Sequence, residues 1–248
     1  MSIIIIEEQY HPSIINQESK PTSRIFLLLA NIKDCMILEF ISSFIYDYLI
    51  SIIFACLLAD FLSGIYHWIK DTYFGPFTPI IGKTIIWGSR LHHVRPRYIL
   101  EFSDWEIFLG SAKWTLIWIV PFLFLTGINI FIITLFIAIS LNDVVHKHAH
   151  MKDTERPTWS SLMQKIYLFQ SHEEHHLHHV MPHEINYCPI TPYVNIVLEK
   201  INFWRSAENI IEKYLGFKPR AIEYDFVEDS NYPAGIKFLP VGLSPNSG

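Results

Sequence analysis

Apolar positions dominate two long stretches of this chain, and polar ones separate them. From residue 25 to 67 the chain is nearly all apolar, broken by Lys33, Asp34, Glu39 and Asp47 among others. A helix that crosses a bilayer needs roughly 20 apolar residues. Residues 45–66 meet that requirement. Residues 25–44 carry Lys33 and Asp34 at their middle, where each charge costs about 2.5 to 3.5 kcal/mol on insertion scales, so this part is either an interfacial helix or a ragged first span. Residues 68–104 are polar, with Gly75, Pro76, Pro79 and Gly82 marking loops. A second apolar run, "WEIFLGSAKWTLIWIVPFLFLTGINIFIITLFIAISLNDVVH", fills residues 105–146 and is long enough for two helices divided near Thr126 and Gly127. Short amphipathic pieces follow at 161–169 and 196–214. The expected architecture is an all-α integral membrane bundle of three to four transmembrane helices with a His-rich metal-binding cap. Its divisions are an N-terminal tail at 1–24, a membrane domain at 25–225 and a flexible tail at 226–248, where Gly, Pro, Ser and Asn predict loop or disorder.

This topology places the chemistry. The 105–146 hairpin leaves one membrane face and returns to it, so His67, His92, His93, His146 and all later histidines share that face. Of the 19 Lys and Arg residues, 16 lie beyond residue 67, and the turn at 126–130 has none. The excess of positive charge assigns the histidine face to the cytosol.

Composition narrows the class. The chain is 50% hydrophobic and only 17% charged, with a net charge of -5. No basic run long enough for a nucleic-acid footprint occurs. Three cysteines, Cys35, Cys56 and Cys188, are far apart and suggest no disulfide framework. The first residues lack the basic region and cleavage site of a signal peptide.

Of 13 histidines, 12 fall between residues 67 and 183, in groups. His67 and Asp71 stand i, i+4, with Asp60, Ser63 and Gly64 on the same helical stripe. Asp60 is placed to accept the second ring N–H of a ligand histidine. His92 and His93 are adjacent and point about 100° apart on a helix, which suits two metals. In "HKHAH", His146 and His150 share a face and His148 points away as a bystander. In "SHEEHHLHHVMPHE", His175, His178 and His179 form one ridge. The same stretch contains an H-E-x-x-H match, His172-Glu173-x-x-His176, the helix signature of zinc proteases. A protease would leave five upstream histidines without a role. Eight imidazoles, His67, His92, His93, His146, His150, His175, His178 and His179, exceed what one metal binds and suit two. A pair of such sites beside apolar helices suits O2 activation by iron against an alkyl chain. Two other classes stand against this: a membrane zinc metalloprotease built on His172, Glu173 and His176, and a metal transporter, which would need polar groups across the bilayer. Arg90, Arg95 and Arg97 are candidates for a phosphate headgroup.

The segments "ADFLSGIYHWIKDT", "IIGKTII", "LHHVRP", "HKHAH", "HHLHHVMPHEINYC", "LEKINFWR" and "GFKPRA" together resemble the Kua family of lipid desaturases, and within it the plasmanylethanolamine desaturase branch. The resemblance covers roughly residues 45–225. It implies a membrane oxidoreductase of the endoplasmic reticulum (or of the cytoplasmic membrane in a bacterium). Such an enzyme has two iron ions and uses O2, with electrons from NAD(P)H through cytochrome b5 or an equivalent. It implies conversion of a 1-O-alkyl ethanolamine phospholipid into its 1-O-alk-1'-enyl, plasmalogen form, with an acyl-lipid desaturase as the alternative within the family. The family's motifs fall on the same eight histidines, with Asp71 beside them. Glu174 stands where animal relatives carry a further histidine, and His148 where relatives often carry Trp. His172 and Glu173 match no family motif. His183, in "PHE", is shared by the plasmalogen-type relatives, which makes it a candidate to support a ligand from behind, to bind metal itself or to face the substrate.

Overall fold

The computed structural model describes residues 21–219 and 224–240. Residues 1–20 of the expected N-terminal tail and 241–248 of the C-terminal tail lie outside the described residues. The chain divides into two compact units, residues 1–48 and 49–248.

Helix α1, Pro21–Tyr73, runs without a break. Between Pro21 at its start and Gly64 there is no proline or glycine to interrupt it. Residues 25–44 and 45–66, weighed separately in the sequence, both fall within this helix. Within the first unit, Phe40, Phe44 and Tyr48 are in contact at i, i+4 steps, with ring centroids 6.3 and 4.3 Å apart.

The second unit holds the remaining elements. After α1 a short π-helical turn, Gly82–Ile86, leads into α2, Trp87–Val94. A 3-10 turn, Pro96–Glu101, precedes α3, Asp104–Thr126, and α4, Ile130–Ala149. Ser103 and Glu106 cap α3 reciprocally, each side chain accepting from the other's backbone N–H. Gly127 ends α3 with φ +69, and the Asn129 side chain accepts from Ile132 N to start α4. Helix α3 and α4 thus form the predicted hairpin with a very short turn. Among the described residues three helices are long and apolar enough to cross a membrane: Cys35–Tyr73, Asp104–Thr126 and Ile130–Ala149. Ala55 and Ala59, fully buried, let α1 approach the hairpin through Ile119, Ile132 and Leu135.

The cap consists of α5, Thr158–Lys165, α6, His172–His179, α7, Pro192–Lys200, and α8, Phe203–Leu215. Its core joins Trp68 of α1 to Tyr187, Cys188, Leu198 and Trp204. The segment expected as loop or disorder from residue 226 contains an antiparallel hairpin instead. Strand β1, Tyr224–Glu228, pairs with β2, Ile236–Pro240. Ile236 and Phe238, two apart and so on one strand face, bury against Leu91, Trp87 and Val94. That burial gives the hairpin the apolar support that its loop-like composition conceals.

Candidate metal centre

Four elements bring the histidines together. The end of α1 supplies His67 and Asp71, α2 supplies His92 and His93, the end of α4 supplies His146 and His150, and α6 supplies His175, His178 and His179. Helix α6 is held by a capping box in which Ser171 N donates to Glu174 Oε2 at 2.8 Å and Glu174 N to Ser171 Oγ at 3.1 Å. Glu174, which stands where animal relatives carry a further histidine, is thus a capping carboxylate.

The side chains sort into two groups, each with donor atoms close enough to share an ion. The first is His92, His146, His150, His175 and His179. The second is His67, Asp71, His93 and His178. The groups abut, with the rings of His93 and His179 centred 5.1 Å apart and those of His67 and His146 6.0 Å apart. All eight histidines selected from the sequence lie in one group or the other.

Both groups are arranged as a cation would require. In the first, His150 Nε2 lies 2.9 Å from both His92 Nε2 and His175 Nε2, and His179 Nε2 lies 3.1 Å from His175 Nε2. Neutral imidazoles offer lone pairs that repel at such distances unless a proton or a cation stands between them. In the second, Asp71 Oδ2 faces Nε2 of His93, His67 and His178 at 3.1, 3.3 and 3.4 Å. Asp71 Oδ2, His93 Nε2 and His178 Nε2 are nevertheless buried without a hydrogen-bond partner. A convergent set of buried, unsatisfied donor atoms matches the chemistry of an imidazole-rich metal site.

Burial also sets the protonation state. It drives the His92, His175 and His179 imidazoles well below their ordinary range, and neighbouring imidazoles add to the effect. His93 falls to about 3 through burial despite the opposing Asp71 carboxylate, and His150 falls to about 3 for the same first reason. These rings are neutral at pH 7, the form that binds metal.

In three of the rings the other nitrogen is committed to a carbonyl oxygen, which fixes the tautomer. His67 Nδ1 donates to Tyr187 O at 3.1 Å, His178 Nδ1 to Ile185 O at 2.8 Å and His175 Nδ1 to the Gln170 amide oxygen at 3.2 Å. A carbonyl only accepts, so Nε2 of each ring keeps its lone pair for the centre. Gln170 and the backbone of 185–188 were not singled out from the sequence. Nothing in local spacing marks a backbone carbonyl as a partner, although a buried glutamine next to a histidine-rich helix was a usable signal for Gln170.

Several expected roles change. Asp60 does not support a ligand histidine. It accepts from Ile190 N at 2.8 Å and from Thr191 N and Oγ at 2.9 and 2.8 Å. The segment after α6 packs on that stripe of α1 and brings buried backbone donors that need an acceptor. Asn195 holds the same segment through Cys188 N and O. Gly64 permits the approach: a Cβ there would collide with Cys188 Sγ and stand 3.3 Å from its backbone N and Cα. Arg90 does not reach toward solvent for a headgroup. It is buried, donating to the carbonyls of Lys70, Asp71 and Phe74 at 3.2, 2.6 and 2.8 Å and contacting Asp71 Oδ1 at 3.3 Å. The end of α1 leaves carbonyls without intrahelical donors, and Arg90 supplies them. Arg95 pairs with Glu228, and Arg97 forks onto both Glu155 oxygens while donating to His150 O.

His183 lies in neither group. Its Nδ1 meets His178 O at 2.9 Å and its ring packs on His93, centroids 4.4 Å apart. His148 is buried against Asp104, Nε2 to Oδ2 3.1 Å, away from both groups. His172, Glu173 and His176 are exposed, and His172 Nδ1 is used by Ala149 O. The two protease histidines join neither group, so the H-E-x-x-H match has no metal site behind it among the described residues.

Residues 56–222 match the lipid desaturase domain family. The chain is 65% identical over 195 residues to a probable fatty acid desaturase of Acanthamoeba polyphaga mimivirus, covering 79% of this chain and 98% of that one. It is 31% identical over 185 residues to plasmanylethanolamine desaturase 1 of Mus musculus, 70% and 68% of the two chains. It is 29% identical over 171 residues to the chloroplastic fatty acid desaturase 4-like 1 of Arabidopsis thaliana, 66% and 56% of the two chains. No solved structure matches it.

Proposed function

The chain belongs to the lipid desaturase family, an integral membrane oxidoreductase by that membership and by its three spans. From this premise we propose that it is a di-iron enzyme converting a 1-O-alkyl ethanolamine phospholipid into its 1-O-alk-1'-enyl form. The observation that carries the proposal is the pair of abutting, buried histidine groups at the ends of apolar helices. The balance is one lipid, one O2, two electrons and two protons giving one alkenyl lipid and two waters. Two iron ions would supply the O2 binding and one-electron steps that removal of two hydrogens from an unactivated alkyl chain demands.

This chain's own residues do the rest. His92, His146, His150, His175 and His179 would hold one ion, and His67, His93, His178 and Asp71 the other. Tyr187 O, Ile185 O and the Gln170 side chain keep His67, His178 and His175 in the tautomer that presents Nε2. Arg90 fixes Asp71 from behind. Burial of the rings keeps bulk water from the reacting carbon. Arg95 and Arg97 stay at the surface, and would meet a phosphate only by exchanging Glu228 and Glu155 for it. The positive-inside balance favours a centre that faces the cytosol, where a cytochrome b5-type donor would pass it electrons from NAD(P)H.

The mimivirus and Arabidopsis relatives, both named fatty acid desaturases, favour a second substrate, a phospholipid acyl chain. One experiment separates the two. Plasmalogen-deficient cells expressing the chain are fed a 1-O-alkylglycerol and their lipids examined by mass spectrometry. Acid-labile vinyl ether phospholipid is the expected product. A new double bond in an acyl chain without vinyl ether would replace the ether-lipid reading with the acyl one. Neither product, from iron-loaded protein in membranes given an electron donor, would remove both.

A further inference from the structure

Helix α5 is amphipathic with its polarity reversed. Ser160 and Gln164 are buried, at 0% and 7% exposure, whereas Trp159 and Leu162 stand 50% and 52% exposed. The apolar stripe continues outward through Ile166, Tyr167 and Leu168. A helix facing water does the opposite, turning its apolar stripe to the core. The spanning helix α4 shows the same inversion, with Ser140 buried and Ile133 and Ile137 exposed, and there the outward solvent is lipid. At eight residues α5 is too short to cross a bilayer.

Its position is fixed by α4. Arg156, just before α5, donates from Nε to His148 O at 3.1 Å and from Nη2 to Met151 O at 2.8 Å. The Trp159 ring packs on His148 at 5.2 Å. The segment that carries the outward face is therefore pinned to the end of a spanning helix. Trp and Tyr on the exposed stripe and an exposed Lys165 beside it are the residue types of the membrane–water interface, where amphipathic rings and snorkelling amines settle.

We propose that α5 and the turn after it lie in the interfacial layer of the bilayer that α4 crosses, inserted through Trp159, Leu162, Ile166, Tyr167 and Leu168. The occupant of this face is lipid, and the surface anchors the segment that leads through Gln170 into the ligand-bearing helix α6. The inference rests on polarity and exposure, and stands whichever lipid the enzyme takes.

Collision accessibility of nitroxide labels tests it on the full chain in phospholipid nanodiscs. Labels are placed at Leu162→Cys and, separately, at Ile166→Cys, with Cys35 and Cys56 changed to Ser and the buried Cys188 retained. Ile133→Cys gives the lipid reference and Thr154→Cys the water reference, both at exposed sites. The expected result is that 162 and 166 collide with oxygen in preference to a water-soluble nickel chelate, as 133 does, with a ratio several-fold above that at 154. A nickel-dominated signal at both positions would place the face in water and overturn the proposal. Shielding from both reagents would overturn it in favour of a second copy or another protein. Two reporter positions guard against one variant failing to fold.

Discussion

Replacing Gly64 with alanine tests how the fold reaches the metal centre. The added Cβ collides with Cys188 Sγ and lies 3.3 Å from Cys188 N and Cα, inside the ~3.5–4.0 Å at which heavy atoms pack without repulsion. Cys188 is fully buried and held at both backbone ends by Asn195, so the segment has little room to yield. Overpacking of this kind costs about 1 to 3 kcal/mol. The neighbouring residue carries the consequence. Tyr187 O accepts from His67 Nδ1 at 3.1 Å, and a shift of about 0.5 Å takes that contact past the ~3.5 Å limit of a hydrogen bond. Loss of such a partner lowers metal affinity about 10- to 100-fold, or about 1.4 to 2.7 kcal/mol. The assay is iron per chain at a fixed chelator concentration, with desaturase activity measured alongside. Gly64→Ala should bind less iron, and Gly64→Ala with Cys188→Ala should recover part of it, since the worst collision is with Sγ. Wild-type iron content in the single variant, or no recovery in the double, would refute the reasoning that couples this helix crossing to His67.

Further outcomes follow from the site. Asp71→Asn keeps the shape but removes the carboxylate from the second group, so metal content should fall toward one ion per chain and activity should be lost; two retained ions would sink Asp71 as a ligand. His175→Ala should abolish activity, whereas Glu173→Gln should leave it intact. His148→Ala should stay active while losing about 1 to 3 kcal/mol of stability, because it removes a buried ring that pairs with Asp104. For acid sensitivity the sign is set by His93 and His150, whose values fall from 6.5 to about 3 on folding. The unfolded chain binds more protons between those values, so their contribution is complete above about pH 6.5 and shrinks as pH falls. Each should cost the metal-free protein about 2 kcal/mol at pH 5 relative to pH 7. Thermal unfolding in nanodiscs that is flat over this range would contradict it.

The apolar runs determined the spanning helices, because an unbroken stretch of such residues has no stable alternative in lipid. The i, i+4 spacing of His67 with Asp71 and of His146 with His150, and the ridge of His175, His178 and His179, determined which side chains share a face, since helical periodicity is local. The sequence also showed that eight imidazoles were too many for one ion. It did not show how they divide. The partition into five histidines on one side and three with Asp71 on the other depends on how the ends of α1, α2, α4 and α6 meet, and helix crossings are long-range. The same is true of Asp60 and Arg90. A buried carboxylate or guanidinium is drawn to whatever backbone the fold leaves unpaired nearby, and only packing decided that this would be Ile190 and Thr191 for one and the end of α1 for the other. The C-terminal hairpin is the converse case. Its turn-rich composition predicted loop, and the strand pair becomes stable only because Ile236 and Phe238 find Leu91, a contact that no local pattern records.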